Sequence, residues 1–183
     1  MRLNKNLSYF VANKIVIDLI NAPFVKLLKD RSVLVEAIKN IIDKNIDKEK
    51  ELDTKVKEMM AEHYEDIEVQ HADERQLFFM IKKRLAPEFG IIMNYDDRYS
   101  DYAHQILDEL YEEYLIEYEV NDNQVKNVIF KGFKDFIKSY EEIDDIVYEK
   151  IKRMKAELIP GSEQYELTYD RLFKEELSKR GML

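Results

Sequence analysis

The sequence predicts an all-α fold with at most one or two very short strands. Three observations carry that reading. Apolar residues recur at helical spacing along almost all of the 183 residues. Only four glycines and three prolines interrupt them, and these punctuate rather than pepper the chain. Hydrophobic residues make up 45% and charged residues 37%, the balance expected of helices with one core-facing stripe and a densely charged outer face.

The elements follow in order. Phe10, Ile15, Val16, Leu19 and Ile20 form the apolar stripe of a first helix, which ends before Pro23. Residues 24–28 read as extended. Ser32 precedes a run without Gly or Pro that reaches about Tyr64, with Ile38, Ile42, Ile46, Leu52, Val56 and Met60 along one side. Asp73 with Gln76 resembles a capping box and opens a helix ending near Ala86, where Pro87 and Gly90 turn the chain. Asp96, Asp97 and Ser100 offer N-caps for a helix to about Tyr118. Residues 115–120 are a second stretch that can be extended, and the two stretches could pair as a small ribbon. Asn121-Asp122-Asn123 opens another long helix ending near Leu158. Ser162 or Thr168, after Pro160-Gly161, starts the last, and Gly181 stands where a C-cap glycine belongs.

The order of elements occurs twice, at a spacing of 91. Ala12, Ile15 and Leu19 correspond to Ala103, Ile106 and Leu110, and Glu51-Leu52-Asp53 with Val56 and Glu58 recurs as Glu142-Ile143-Asp144 with Val147 and Glu149. The chain therefore reads as a tandem duplication of a roughly 91-residue helical unit, with a first repeat over 1–91 and an acidic second repeat over 92–183. Each half is too small to bury enough surface alone, so the two are expected to share one core and fold as one cooperative unit. Ile38, Ile46, Leu52 and Val56, with Ile129, Ile137, Ile143 and Val147, are the residues expected in it.

Composition narrows function. With no cysteine there is no disulfide or thiolate chemistry, and a reducing, cytoplasmic setting is expected. No apolar run is long enough to span a bilayer, so no membrane partner is expected. The net charge of −9 arises entirely in residues 92–183, which argues against a chain-wide basic footprint for nucleic acid while leaving room for a local patch. No glycine-rich phosphate loop, zinc signature or nucleophile elbow occurs, and no cofactor is expected.

Two constellations remain. Glu68 precedes His71 by three residues, and Asp101 precedes His104 by three. Carboxylate-x-x-His pairs on two helices are what di-metal bundles use, so these four residues are the metal candidates, although a chain this acidic produces such pairs by chance. The second is an interaction surface on the helix of residues 74–86. Leu77, Phe78, Ile81 and Leu85 form its buried stripe, and Phe79 points elsewhere among Arg75, Lys82, Lys83 and Arg84. An aromatic ring among cations suits a base, a phosphate-bearing ligand or an acidic partner. It is equally what results when Phe79 packs on a neighbouring helix and the lysine stems cover apolar surface. Tyr95, Tyr99, Tyr102, Tyr111, Tyr114 and Tyr118 lie among acids in the second half, either as an interface or as a core boundary.

Several strings are similar to a bacterial family catalogued as domain of unknown function 507. They are Arg75-Gln76-Leu77-Phe78, Met80-Ile81-Lys82-Lys83 and Leu85-Ala86-Pro87-Glu88, then Tyr95-Asp96-Asp97-Arg98-Tyr99-Ser100 with Ala103-His104. Pro160-Gly161-Ser162-Glu163 and Leu177-Ser178-Lys179-Arg180-Gly181 fit as well. The resemblance covers nearly the full chain and implies no activity and no site residue. The first expectation for function is a non-enzymatic helical protein–protein interaction or adaptor module with an unidentified protein partner. An RNA- or DNA-binding accessory protein using residues 75–84 is the alternative, and a metal-binding enzyme a further one.

Overall fold

A computed structural model describes residues 3–62, 73–154 and 163–182, of which 81% are helical. Among the described residues there are six α-helices: α1 Lys5–Asn21, α2 Arg31–Glu62, α3 Glu74–Leu85, α4 Tyr95–Glu112, α5 Asp122–Lys152 and α6 Glu163–Lys179. Strands β1 Val25–Leu27 and β2 Ile116–Tyr118 pair antiparallel, with Lys26 opposite Glu117. The two extended stretches thus form the small ribbon, and Lys26 reaches Glu117 across it at 3.2 Å.

Short polar side chains start the helices. Asn4, Asp73, Asn94 and Asn121 each accept hydrogen bonds from backbone N–H groups of the first turn, satisfying donors that have no partner inside the helix. Asn94 caps α4, so Asp96 and Asp97 lie in its first turn, where the positive end of the helix dipole favours them. Thr168 lies inside α6, and Ser162 and Leu158 are outside the described residues.

Helix α4 stops at Glu112 rather than near Tyr118. Tyr114 adopts a left-handed conformation (φ 53°), and the Leu115 N–H donates back to the Leu110 carbonyl at 2.9 Å. That is the closing bond usually made around a glycine, as here at Gly90 and Gly181. With no glycine at 114, the sequence carried no mark of this stop. Helix α5 likewise ends earlier than expected, at Lys152 with Arg153 as its C-cap.

Helices α1 and α4 each pack against both α2 and α5, so the core is enclosed by two helices from each half. Val11, Ile15, Leu19, Leu34, Ile38, Ile106, Leu110, Ile129, Phe133, Phe136 and Ile143 are among its buried members. Tyr99 stacks on Phe133 with centroids 5.4 Å apart. Gly132 lets α1 and α5 meet closely, because a Cβ there would lie 2.9 Å from Ile15 Cγ1.

The expected single core needs correction. Leu52 and Val56 are fully buried but belong to a second cluster with Ala86, flanked by Met60, Phe78, Ile81, Leu85, Phe89, Ile91 and Met93. Ile137 is only half-buried. Helix α5 is nearly as long as the 32-residue α2, but Leu172, Phe173 and Leu177 of α6 join the main core beside its far end, whereas among the described residues the far end of α2 meets only α3 and the turn after it. Helix α3 packs on that end of α2, as α6 packs on α5.

Candidate functional site

The far end of α2 and the α3 laid on it form the candidate interaction surface. On α3, Phe78, Ile81 and Leu85 are half-buried and pack against the second cluster; Leu77 is half-buried without joining it. Phe79 and Met80 are left 57% and 69% exposed. Beside them lies a groove of about 810 Å³ between Lys57, Met60 and Ala61 of α2 and Glu74, Arg75, Phe78 and Phe79 of α3. Phe78 and Phe79 meet edge to face at 6.0 Å.

Lys82 is not part of this exposed face. It is 7% exposed, and its Nζ lies 2.6 Å from Asp53 Oδ1 and 3.4 Å from Glu49 Oε1. Helical spacing explains this, since 82 is four residues from Phe78 as well as three from Phe79, and so sits at the edge of the inward stripe. Arg98, 4% exposed, enters from α4 and places Nη1 3.2 Å from Glu49 Oε2. Its Nε donates to the Ile92 carbonyl at 2.6 Å, and its guanidinium covers the Tyr95 ring. Among the described residues, two acids and two cations from three helices thus form a buried lock that sequence reasoning missed. One signal was available: Glu49 and Asp53, four apart, interrupt the apolar side of α2. Buried carboxylates call for buried cations.

Arg75, Lys83 and Arg84 are exposed, and with Lys57 they have no ion pair among the described residues. Of the residues expected in the interaction surface, Arg75, Phe79, Lys83 and Arg84 are exposed, and exposed Lys57 and Met80 accompany them.

The metal candidates do not assemble among the described residues. Asp101 accepts a hydrogen bond from Gln105 at 2.7 Å, and exposed His104 lies 3.8 Å from Asp108. Glu68 and His71 lie outside the described residues. No group of three or more potential ligands occurs among those described.

The tyrosines divide. Tyr99 and Tyr102 are buried, and Tyr95, Tyr111 and Tyr114 are exposed. Tyr118 is half-buried and donates to Asp122 at 3.0 Å; burial, reinforced by that carboxylate, pushes its hydroxyl up to about 12. Burial also raises Tyr99 well above its ordinary range.

A second concavity of about 400 Å³ separates α6 from the start of α1. Tyr140, Tyr169 and Phe173 line it beside Glu166, Asp170 and Lys174. Its charges are mixed, and the capped start of α1 at Asn4 borders it.

No helix among the described residues is long and apolar enough to cross a membrane. No curated protein matches the chain. A family model described as protein of unknown function (DUF507) matches residues 1–182. Across all but its final residue, then, the chain carries the pattern of one family, and it belongs to DUF507.

Proposed function

We propose that this chain is a non-enzymatic, cytoplasmic interaction module that docks a protein partner on the surface made by α3 and the far end of α2. The observation that carries this reading is the pairing of an apolar groove with two adjacent exposed apolar side chains, Phe79 and Met80. Contiguous apolar surface of this kind is kept mainly where something covers it. Aromatic residues, Met and Arg are the types enriched at interface cores, and Met adapts its shape to what it meets.

Nucleic-acid binding is the second reading, favoured by the unpaired Arg75, Lys83 and Arg84 beside an exposed ring. It is weakened by the loss of Lys82 to the buried lock and by the net charge of −9. Affinity purification from native cells, with and without nuclease, separates the two. Docking predicts a partner that survives nuclease and is lost when Phe79→Ala and Met80→Ala are combined. A partner that the double variant retains removes this face, and one that nuclease releases selects the second reading.

We infer also that residues 1–91 and 92–183 are copies of one unit. Supporting this, the residues facing each other at the centre of the ribbon, Lys26 and Glu117, are 91 positions apart, as an antiparallel pairing of equivalent strands about a two-fold requires. Superposing the two halves tests it: helices that fail to overlay in the 91-residue register would end the idea.

A further inference from the structure

Resting on that docking reading, we infer that the occupant of the α2–α3 groove is an acidic amphipathic helix. The shape comes first. Two packed helices leave a trough whose floor is Met60, Ala61 and Phe78 and whose outer wall is Phe79. Helix α3 has 12 residues, roughly 18 Å of length, which matches about three turns of a bound helix presenting apolar anchors at i, i+4 and i+7.

The backbone chemistry points the same way. An extended peptide needs a sheet edge to pair its N–H and C=O groups. The groove is helix on both sides, and the ribbon of β1 and β2 lies at the other end of α2. A helix satisfies its own backbone and can lie on an apolar floor without orphaned polar groups.

Charge then selects the sign. Lys57 and Arg75 line the groove, and Lys83 stands one turn along from Phe79. None of the three has an ion pair among the described residues, whereas many of the chain's other cations do, among them Lys14, Lys39, Lys150, Arg171 and Arg180. The one carboxylate among the described residues that line the groove, Glu74, sits in the first turn of α3, where the positive helix end holds it. An acidic flank on the partner would meet these cations and orient the helix.

The test uses the full chain and synthetic probes, with binding read by fluorescence anisotropy. The probes are an amphipathic peptide with Leu and Phe anchors and Glu elsewhere, the same peptide with Lys for Glu, and a single-stranded oligonucleotide. The acidic peptide should bind saturably, at least about tenfold more tightly than the basic one, and weaken with salt. Arg75→Glu combined with Lys83→Glu should weaken the acidic peptide by about tenfold or more and strengthen the basic one. Phe79→Ala should weaken both peptides while leaving the melting temperature unchanged. Equal or tighter binding of the basic peptide, preference for the oligonucleotide, or no saturable peptide binding overturns the inference. If the peptides fail while the native partner still requires Phe79 and Met80, the docking reading stands and only the helical occupant is wrong. If the native partner is indifferent to Phe79 and Met80, the docking reading itself has failed.

Discussion

Helix α3 packs on α2 and helix α6 on α5, and the two pairs are held by different chemistry. In the first, Lys82 bonds Asp53 and Glu49 in a buried site shared with Arg98. In the register of 91, Glu49 corresponds to Tyr140, Lys82 to Phe173 and Arg98 to Leu7. There Tyr140 meets Phe173 edge to face at 5.0 Å, and Tyr169 stacks on Phe173 at 5.8 Å. The reverse exchange occurs one turn away. Glu176 lies between Lys150 and Lys179 in the second pair, where the first has Leu85, Met59 and Glu88. An ionic contact thus holds one helix pair where an aromatic contact holds the other. What differs is how each fails, since a buried charge that loses its partner is far costlier than an aromatic contact made smaller.

The largest effect should therefore come from Lys82→Met, which removes the buried cation that Asp53 and Glu49 share. It should lower unfolding free energy by about 3–5 kcal/mol in urea denaturation. Adding Asp53→Leu should restore much of that loss, since both charges then leave together. If Lys82→Met alone is nearly neutral, the lock is not formed.

The aromatic pair should be more forgiving. Phe173→Leu keeps an apolar side chain in place and should cost under about 1.5 kcal/mol. A loss as large as that of Lys82→Met would erase the contrast between the pairs.

Acid should probe the ionic site of the second pair. Hydrogen bonds from Lys150 and then Lys179 lower the Glu176 carboxyl from 4.5 to about 2. A carboxyl with a depressed folded-state pKa contributes stability above its unfolded value and loses that contribution as it protonates. The contribution should be fully present above pH 4.5 and decline toward about pH 2. Glu176→Gln should flatten that part of a stability-against-pH curve. An unchanged curve would show that the two lysines do not hold the carboxylate.

The junctions into the ribbon differ as well. The second half turns at Tyr114 in the left-handed region, whereas its counterpart in the first is Pro23. Tyr114 is 76% exposed, so its side chain gives little packing in return for the strain. Tyr114→Gly should raise stability by about 1 kcal/mol, and a loss would mean that the ring makes a contact worth more than the strain.

The smallest effect belongs to the groove. Arg75→Glu with Lys83→Glu should change thermal stability by no more than about 0.5 kcal/mol, as for exposed residues without partners. A large loss would place those charges in an internal network like that of Lys82.

How far the sequence reached can be judged residue by residue. Asp73 and Asn121 were legible as N-caps and Gly181 as a C-terminal turn, because capping is settled within a few neighbouring residues. The helices followed from their apolar period, and the ribbon from two short apolar stretches between helices. The exposure of Phe79 was legible too, since Leu77, Phe78, Ile81 and Leu85 had claimed the inward stripe. Tyr114 was not, because an L residue enters the left-handed region only when the surrounding fold compels it. Nor was the division of the core, in which α6 joins the main cluster and α3 forms its own with the far end of α2.

What the sequence by itself determined was the order of helices and which side of each is apolar, since both are properties of spacing along one segment. What only the tertiary structure decided was the fate of residues at the edge of a stripe. Lys82 stands at such an edge, with helical geometry permitting it to point outward beside Lys83 or inward beneath Phe78. Glu49 and Asp53 lie 33 and 29 positions earlier in the chain, and Arg98 comes from a different helix. Only when α2, α3 and α4 meet do the two acids draw Lys82 and Arg98 inside, because a carboxylate removed from water is stable only with a cation beside it.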